Sequence, residues 1–427
     1  MLSKLPLKGR FTRDVLWNVG SLAILGASGL IVNAVILAAR GPDALGVFNQ
    51  VFAFYIVLSQ IAVGGLQFSA LRHCSYVQDD REECARIASS ALALVAMAGV
   101  VVCAGLFAAR HWIGRVLDSP GVGEGIAYMA PGLLFFSLNK VLLMVLNGLR
   151  HMRAFAVFQA LRYILLVAGI VGVIGLGWPA PRLALSLTFA EVILFVVVLV
   201  YLQVQVLKLS WILTPEFKAW MPRHISFGLR GVLSGVLTEL NTRVDVLMIG
   251  LLMSDKQVGV YSFASTFAEG FAQLNNVIRQ NADPVVGRLF SEGRQSEIQE
   301  VSRKIRRTFF PIMMGLGALL IATFPIVIYV LAKKDEVWGS WMVFAILVTG
   351  VALSSGYRPL ISLLLQGGRP GAFSALIATS ATLNVALNFA LIPVLGINGS
   401  ALATAVVFCG EAVGIIILAR RLFGIRL

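Results

Sequence analysis

The sequence of 427 residues predicts an all-α polytopic membrane protein, twelve transmembrane helices in two six-helix bundles related by an internal duplication. Three observations lead there. The chain is 58% hydrophobic and only 13% charged, well below the charged share of a soluble protein. Apolar runs long enough to cross a bilayer core recur along its whole length. The second half also repeats the first. Gly46, Val47, Phe48, Phe54, Gln60 and Gln67 return 213 residues later as Gly259, Val260, Tyr261, Phe267, Gln273 and Gln280. Asn147-Gly148-Leu149-Arg150, followed by Ala154-Phe155, returns as Gln366-Gly367-Gly368-Arg369, followed by Ala372-Phe373. Duplicated bundles leave a seam that can open to either side of a membrane, which makes transport the leading reading.

The predicted spans are 15–39, 44–71, 88–109, 126–148, 156–178 and 182–204 in the first copy. Those of the second are 225–253, 258–283, 309–332, 339–365, 372–394 and 398–420. The first has a basic start, but it is too long for a secretory signal and no small-residue cleavage site follows it, so it is read as retained. Loops between spans are short and leave no room for a soluble domain. The organisation is therefore 1–204 for the N-terminal bundle, 205–224 for a polar cytoplasmic linker and 225–427 for the C-terminal bundle. Each copy has an even number of spans, so both enter the membrane in the same orientation. The offset drifts from 213 to 219 for Arg150 and Arg369 and to 220 for Glu191 and Glu411, because the basic loop 284–308 is longer than its counterpart. Pro131-Gly132 in the fourth span, and Gly356 with Pro359 in the tenth, fall on matched helices; they either free backbone groups that need other partners or are simply the Gly and Pro common in membrane helices.

The net charge of +14 follows topology rather than nucleic-acid binding. With the N-terminus inside, 22 Lys/Arg fall on cytoplasmic segments and seven (Arg40, Arg110, Arg115, Arg182, Lys256, Lys333, Lys334) on the other side. Both termini are then cytoplasmic, and attraction to anionic lipid is a secondary effect. Cys74, Cys84, Cys103 and Cys409 show no metal spacing, and no nucleotide-binding or hydrolase motif is present. No catalytic residue, metal site or cofactor is predicted, and ATP hydrolysis is excluded.

Charges inside the bilayer are costly and are read as functional. The basic set is Lys140, Arg162, Arg230, Arg243, Arg279 and Arg358; the acidic set is Glu191, Glu239, Asp245, Glu269 and Glu411. Arg230 and Arg279 are near enough to the cytoplasmic boundary to snorkel. Lys140 lies one residue from the position that the 219 offset assigns to Arg358. Glu269, Gln273, Asn276 and Gln280 form one helical stripe, and the second span keeps Gln60 and Gln67, so these faces line a water-filled cavity or a helix contact. Glu239 and Arg243 are four apart and can pair, whereas Asp245 is on another face.

Asn241-Thr242-Arg243-Val244-Asp245-Val246-Leu247-Met248-Ile249-Gly250, then Val258-Gly259-Val260-Tyr261, resembles the seventh span and turn of polysaccharide flippases. So does Gln366-Gly367-Gly368-Arg369, followed by Leu383-Asn384 through Asn388, Ile392-Pro393, Gly396-Ile397 and Gly399-Ser400-Ala401. These flippases share a superfamily with MATE-type drug exporters and lipid II flippases, and the resemblance covers essentially the whole chain. It implies a MATE-like fold and alternating access. The implied function is moving an undecaprenyl-pyrophosphate-linked oligosaccharide from the inner to the outer leaflet of a bacterial cytoplasmic membrane, for surface polysaccharides such as O-antigen.

Under that reading Lys140, Arg162, Arg243 and Arg358, with Gln60, Gln273 and Asn276, bind the head group. Asp245, Glu239, Glu269, Glu191 and Glu411 are candidates for coupling to an H+ or Na+ gradient or to the membrane potential. The cavity is expected between the copies, walled by spans 1, 2, 7 and 8, with Gln67 and Gln280 at its inner ends. Implied partners are the lipid-linked oligosaccharide, the bilayer, and polysaccharide polymerase or ligase proteins, with no nucleic acid. Two alternatives stay open: a MATE-like ion-coupled exporter of drugs or other amphiphiles, and a polytopic enzyme acting on lipid-linked sugars.

Overall fold

A computed structural model describes residues 26–209, 215–331 and 335–427. The start of the first predicted span, the middle of the expected linker, and Lys4, Lys8, Arg10, Arg13, Lys333 and Lys334 lie outside the described residues. Helices in the first copy are α1 (Gly26–Arg40), α2 (Pro42–Val63), α3 (Leu66–Tyr76), α4 (Arg81–Val116), α5 (Pro120–Gly148), α6 (Met152–Gly175) and α7 (Leu185–Tyr201). They are followed by α8 (Pro215–Leu252), α9 (Asp255–Ser291), α10 (Gln295–Leu331), α11 (Gly339–Ser354), α12 (Leu363–Gln366), α13 (Pro370–Leu395) and α14 (Ile397–Phe423). Their starts follow local chemistry. Asp80 caps α4 by accepting from the Glu83 amide, Ser119 caps α5 ahead of Pro120, and Ser254 with Gln257 forms a capping box on α9.

Among the described residues there is no strand, and nine helices are long and apolar enough to cross a membrane. The predicted seventh and eighth spans form α8 and α9, of 38 and 37 residues, which fall outside the nine. Their charged positions, among them Arg230, Glu239, Arg243, Asp245, Glu269 and Arg279, lower their apolarity.

The chain divides into two compact units. Of the described residues, one holds those up to Val35 and those within Val51–Glu239; the other holds Ile36–Gln50 and those within Leu240–Leu427. The division thus falls inside α8, while the sequence places it in a linker at 205–224. Leu202–Val206 closes in a π-helical turn, and Pro215 to His224 opens α8 with Phe217, Trp220 and His224 buried. Lys218 and Arg223 of the expected linker thus lie on α8.

In the first unit the predicted span 44–71 breaks into α2 and α3. Gly64 (φ 56) and Gly65 (φ 77) adopt left-handed conformations that favour glycine. A side chain at Gly65 would come within 3.1 Å of the Gly228 carbonyl, so α8 packs directly on the break. Gln60 on α2 and Gln67 on α3 therefore do not share one helix, and Gln67 is buried.

The two units repeat a close helix contact at matched glycines. A Cβ on Gly132 of α5 would lie 2.7 Å from Thr188 of α7, and one on Gly350 of α11 would lie 2.6 Å from Ala405 of α14. They differ one turn further on. α5 runs unbroken through Pro131 to Gly148, whereas α11 stops at Ser354 and continues as a short turn, Arg358–Leu360. The 219 offset sets Pro359 against Lys140, and a proline there cannot supply the amide that continues a helix.

Candidate functional site

In the first unit, polar side chains meet where α5, α6 and α7 pack. Glu191 of α7 is 2% exposed, a depth at which a carboxylate needs compensation. Arg162 of α6 places Nε 2.7 Å from Glu191 Oε1. Asn139 of α5 donates Nδ2 to Oε2 at 2.8 Å and to the Glu191 carbonyl at 2.9 Å. The Arg162 guanidinium also lies 4.8 Å from the Phe136 ring centroid. One turn along α5, Lys140 shares that ring at 4.5 Å and donates Nζ to Ser59 Oγ of α2 at 2.9 Å. Gln60, next to Ser59, donates to Glu239 Oε1 at 3.1 Å. Among the described residues Lys140 makes no ion pair, and its direct contacts are a hydroxyl and a ring.

In the second unit, Glu411 of α14 matches Glu191 and is equally buried, at 2%. Its partner is Arg358, whose Nε donates to Oε2 at 2.8 Å and whose guanidinium stacks 3.7 Å from the Phe408 centroid. Arg243 of α8 reaches Glu269 of α9 at 3.4 Å, and Asn276 donates to Gln273 Oε1 at 2.9 Å along α9.

The unit has a second buried acid of a different kind. Asp245 accepts from Tyr261 Oη and Thr404 Oγ1, both at 2.6 Å, and from Asn388 Nδ2 at 3.2 Å. Asn388 Nδ2 also reaches Asn384 Oδ1 at 2.7 Å, and Ser400 donates to Asn388 Oδ1 at 2.6 Å. The acid is held by neutral donors from α9, α13 and α14. Among the described residues no group of three or more His, Cys, Asp or Glu gathers to hold a metal.

The structure thus brings Lys140, Arg162, Glu191, Gln60 and Glu239 together in the first unit. In the second it forms separate clusters around Arg358 and Glu411, around Arg243 and Glu269 with Gln273 and Asn276 nearby on α9, and around Asp245. Sequence reasoning missed Ser59, Asn139, Tyr261, Asn384, Asn388 and Thr404 as partners. Asn139 was within reach, since the 219 offset pairs it with Arg358. Asn384 and Asn388 carried a signal too, as two amides one turn apart in an apolar span.

Residues 36–335 match the family described as "Polysaccharide biosynthesis protein". The chain belongs to this family. A "Probable low-salt glycan biosynthesis flippase Agl15" from Haloferax volcanii is 24% identical over 296 residues, 68% of this chain. The match spans 60% of that relative's length. Two solved structures share the architecture with a TM-score of 0.77. One is a multidrug resistance MATE family transporter in an inward-facing conformation, 15% identical, covering 92% of this chain and 94% of its own. The other is the lipid II flippase MurJ in an inward closed conformation, 14% identical, covering 95% and 87%. The family member described here is a multi-pass membrane protein with the MATE-like fold expected from its sequence.

Proposed function

We propose that this protein is a flippase. It moves an undecaprenyl-pyrophosphate-linked oligosaccharide from the inner to the outer leaflet of a bacterial cytoplasmic membrane, by alternating access of bundles 1–204 and 225–427, with both termini cytoplasmic. It is a transporter rather than an enzyme, and it delivers its lipid-linked product to a polymerase or ligase. Lys140 is the observation that carries the reading. A half-buried ammonium in a membrane span is costly, and here a hydroxyl and an aromatic ring hold it beside Arg162. That arrangement suits an anionic head group arriving to complete the charge. Arg243, which Glu269 engages, is a further head-group cation, with Gln60, Gln273 and Asn276 as sugar contacts. Arg162 and Arg358, engaged by Glu191 and Glu411, contribute positive field from behind. Two negative charges moving outward gain about 4.6 kcal/mol per 100 mV of inside-negative potential.

Asp245 supports ion coupling by H+ or Na+. A buried carboxylate among neutral donors can take up a proton or a small cation and give it back; Glu239 and Glu269 are secondary candidates. The test is transport in proteoliposomes of a lipid-linked oligosaccharide, scored by accessibility at the outer leaflet. Wild-type protein should transport, and Lys140→Gln should do so about ten- to a hundredfold more slowly. Equal transport by Lys140→Gln, or efflux of cationic drugs in place of the lipid, would exclude the reading.

A further inference from the structure

A second positively charged site lies in the first unit, away from Lys140 and Arg162. α3 and the opening turns of α8 form an open pocket of about 410 Å³ lined by His73, Pro222, Arg223, Ser226, Phe227 and Arg230. Arg223 lies 4.7 Å from the Trp220 ring centroid. Arg72 lies 5.7 Å from that of Phe227 and donates to Tyr76 Oη at 3.1 Å. Arg230 donates to Ser226 Oγ at 3.2 Å. Rings and hydroxyls hold these guanidiniums, and among the described residues none of the three makes an ion pair. Glu83, the carboxylate against this cluster, is already taken by Trp220 Nε1 at 2.8 Å and by Arg86 at 2.9 Å. Burial, and then the charges of Arg72 and Arg223, hold the His73 imidazole below its usual pKa.

The depth of the pocket identifies the ligand. Arg223 precedes the predicted span 225–253 and Arg230 falls just inside it, on the side that the charge asymmetry assigns to the cytoplasm. Phe68 on α3, and Leu229 and Leu233 on α8, fall inside the predicted spans that these helices carry and are 49%, 70% and 67% exposed. Cations at head-group depth with exposed apolar side chains above them match a phosphorylated lipid, head down and tails up. We propose that this pocket binds the phosphate head group of a membrane lipid in the cytoplasmic leaflet. Planar guanidinium forks take phosphate oxygens in pairs, and basic pockets on the cytoplasmic side of membrane proteins hold such head groups. The site is independent of transport and uses none of the residues assigned to the substrate.

The test is native mass spectrometry of the full-length protein released from detergent. Probes are phosphatidic acid, diacylglycerol with the same chains, and inorganic phosphate. Wild-type protein should retain phosphatidic acid over diacylglycerol, and inorganic phosphate should not displace it. Arg223→Gln with Arg230→Gln should weaken that preference by about thirtyfold at an unchanged melting temperature. If the double variant fails to fold, Ser226→Asp places a like charge in the pocket and should have the same effect. An undiminished preference in the variants overturns the proposal. So does inorganic phosphate binding as tightly as the lipid, which would mark a soluble-anion site.

Discussion

Glu191 and Glu411 occupy matched positions in the two units and are equally buried, yet their cations come from different helices. In the first unit the charge is Arg162 on α6, with Asn139 of α5 adding a neutral donor. In the second, the residue matching Asn139 is itself the cation, Arg358, and Ala381 stands at the 219 offset from Arg162. Relocating the charge frees the neighbouring position on each side. The first unit uses it for Lys140 on an unbroken helix; the second uses it for Pro359 at a break. Asp245 has no such double, since Leu165, Gly169 and Ala184 stand at the offsets of Asn384, Asn388 and Thr404. The duplicated fold therefore keeps one buried acid–base contact as common architecture and differentiates around it, with a spare cation in one half and a spare acid in the other.

The largest expected effect comes from breaking the shared contact. Arg162→Ala leaves Glu191 charged and buried, a loss of about 3–5 kcal/mol, and should abolish accumulation of folded protein in the membrane. Arg358→Ala should cost less, because Arg358 is 23% exposed and water can reach Glu411 in its place. Arg162→Leu with Glu191→Leu should restore folding. Adding Asn139→Arg to Arg162→Ala transplants the second unit's solution into the first and should recover part of the lost thermal stability. Failure of the graft, with Arg358→Ala as damaging as Arg162→Ala, would show that the two contacts are not variants of one device.

Much of this comparison was legible before the structure. The duplication, the offsets, the intramembrane charges and the family resemblance all came from residue identities, because a membrane makes apolar runs and stray charges conspicuous. Pairing was less accessible. Glu239 and Arg243 sit one helical turn apart, and the structure adds partners on other helices, Gln60 of α2 for Glu239 and Glu269 of α9 for Arg243. Helical spacing ranks neighbours on one helix and is silent about those on another. The break after Val63 also went unread, since Gly64-Gly65 in a long apolar run looks like ordinary small-residue packing. The Asp245 network escaped because it joins α8, α9, α13 and α14 across 159 residues of sequence.

Lys140→Gln sharpens the functional half of the contrast. The amide can still bond Ser59, so stability should hold while transport of the lipid-linked oligosaccharide falls by about ten- to a hundredfold, the worth of a charged hydrogen bond. Lys140→Arg should keep part of the activity. Loss of stability in Lys140→Gln would reduce Lys140 to a structural group.

Asp245→Asn probes the spare acid. The amide preserves shape and can bond some of the same partners, so head-group binding should persist. Transport should become slower and indifferent to an imposed H+ or Na+ gradient, by a smaller factor than for Lys140→Gln. An Asp245→Asn protein whose transport still follows the gradient would remove Asp245 from coupling and leave Glu239 and Glu269 as candidates.

The smallest effect separates the units by pH. All four histidines, His73, His111, His151 and His224, belong to the first unit. His224 is fully buried, with Nδ1 2.8 Å from Ser69 Oγ and Nε2 3.1 Å from the Ile87 carbonyl, so it ties α8 to α3 and α4. Burial pushes its pKa from 6.5 down to about 4. Between those values the unfolded segment binds the proton and the folded one does not, so stability falls as pH drops through that window. By pH 5 the loss is about 2 kcal/mol. The second unit, whose apolar cluster joins Val286, Leu289, Ile298, Leu363, Ala419 and Ile425, has no histidine. Hydrogen exchange should therefore quicken in α3 and at the start of α8 between pH 7 and pH 5, after correction for intrinsic rates, while α12 and the end of α14 stay unchanged. His224→Gln should flatten that response, at some loss of protection at pH 7. Equal acid loosening in both units, or an undiminished pH response in His224→Gln, would mean that the asymmetry lies elsewhere than in this buried imidazole.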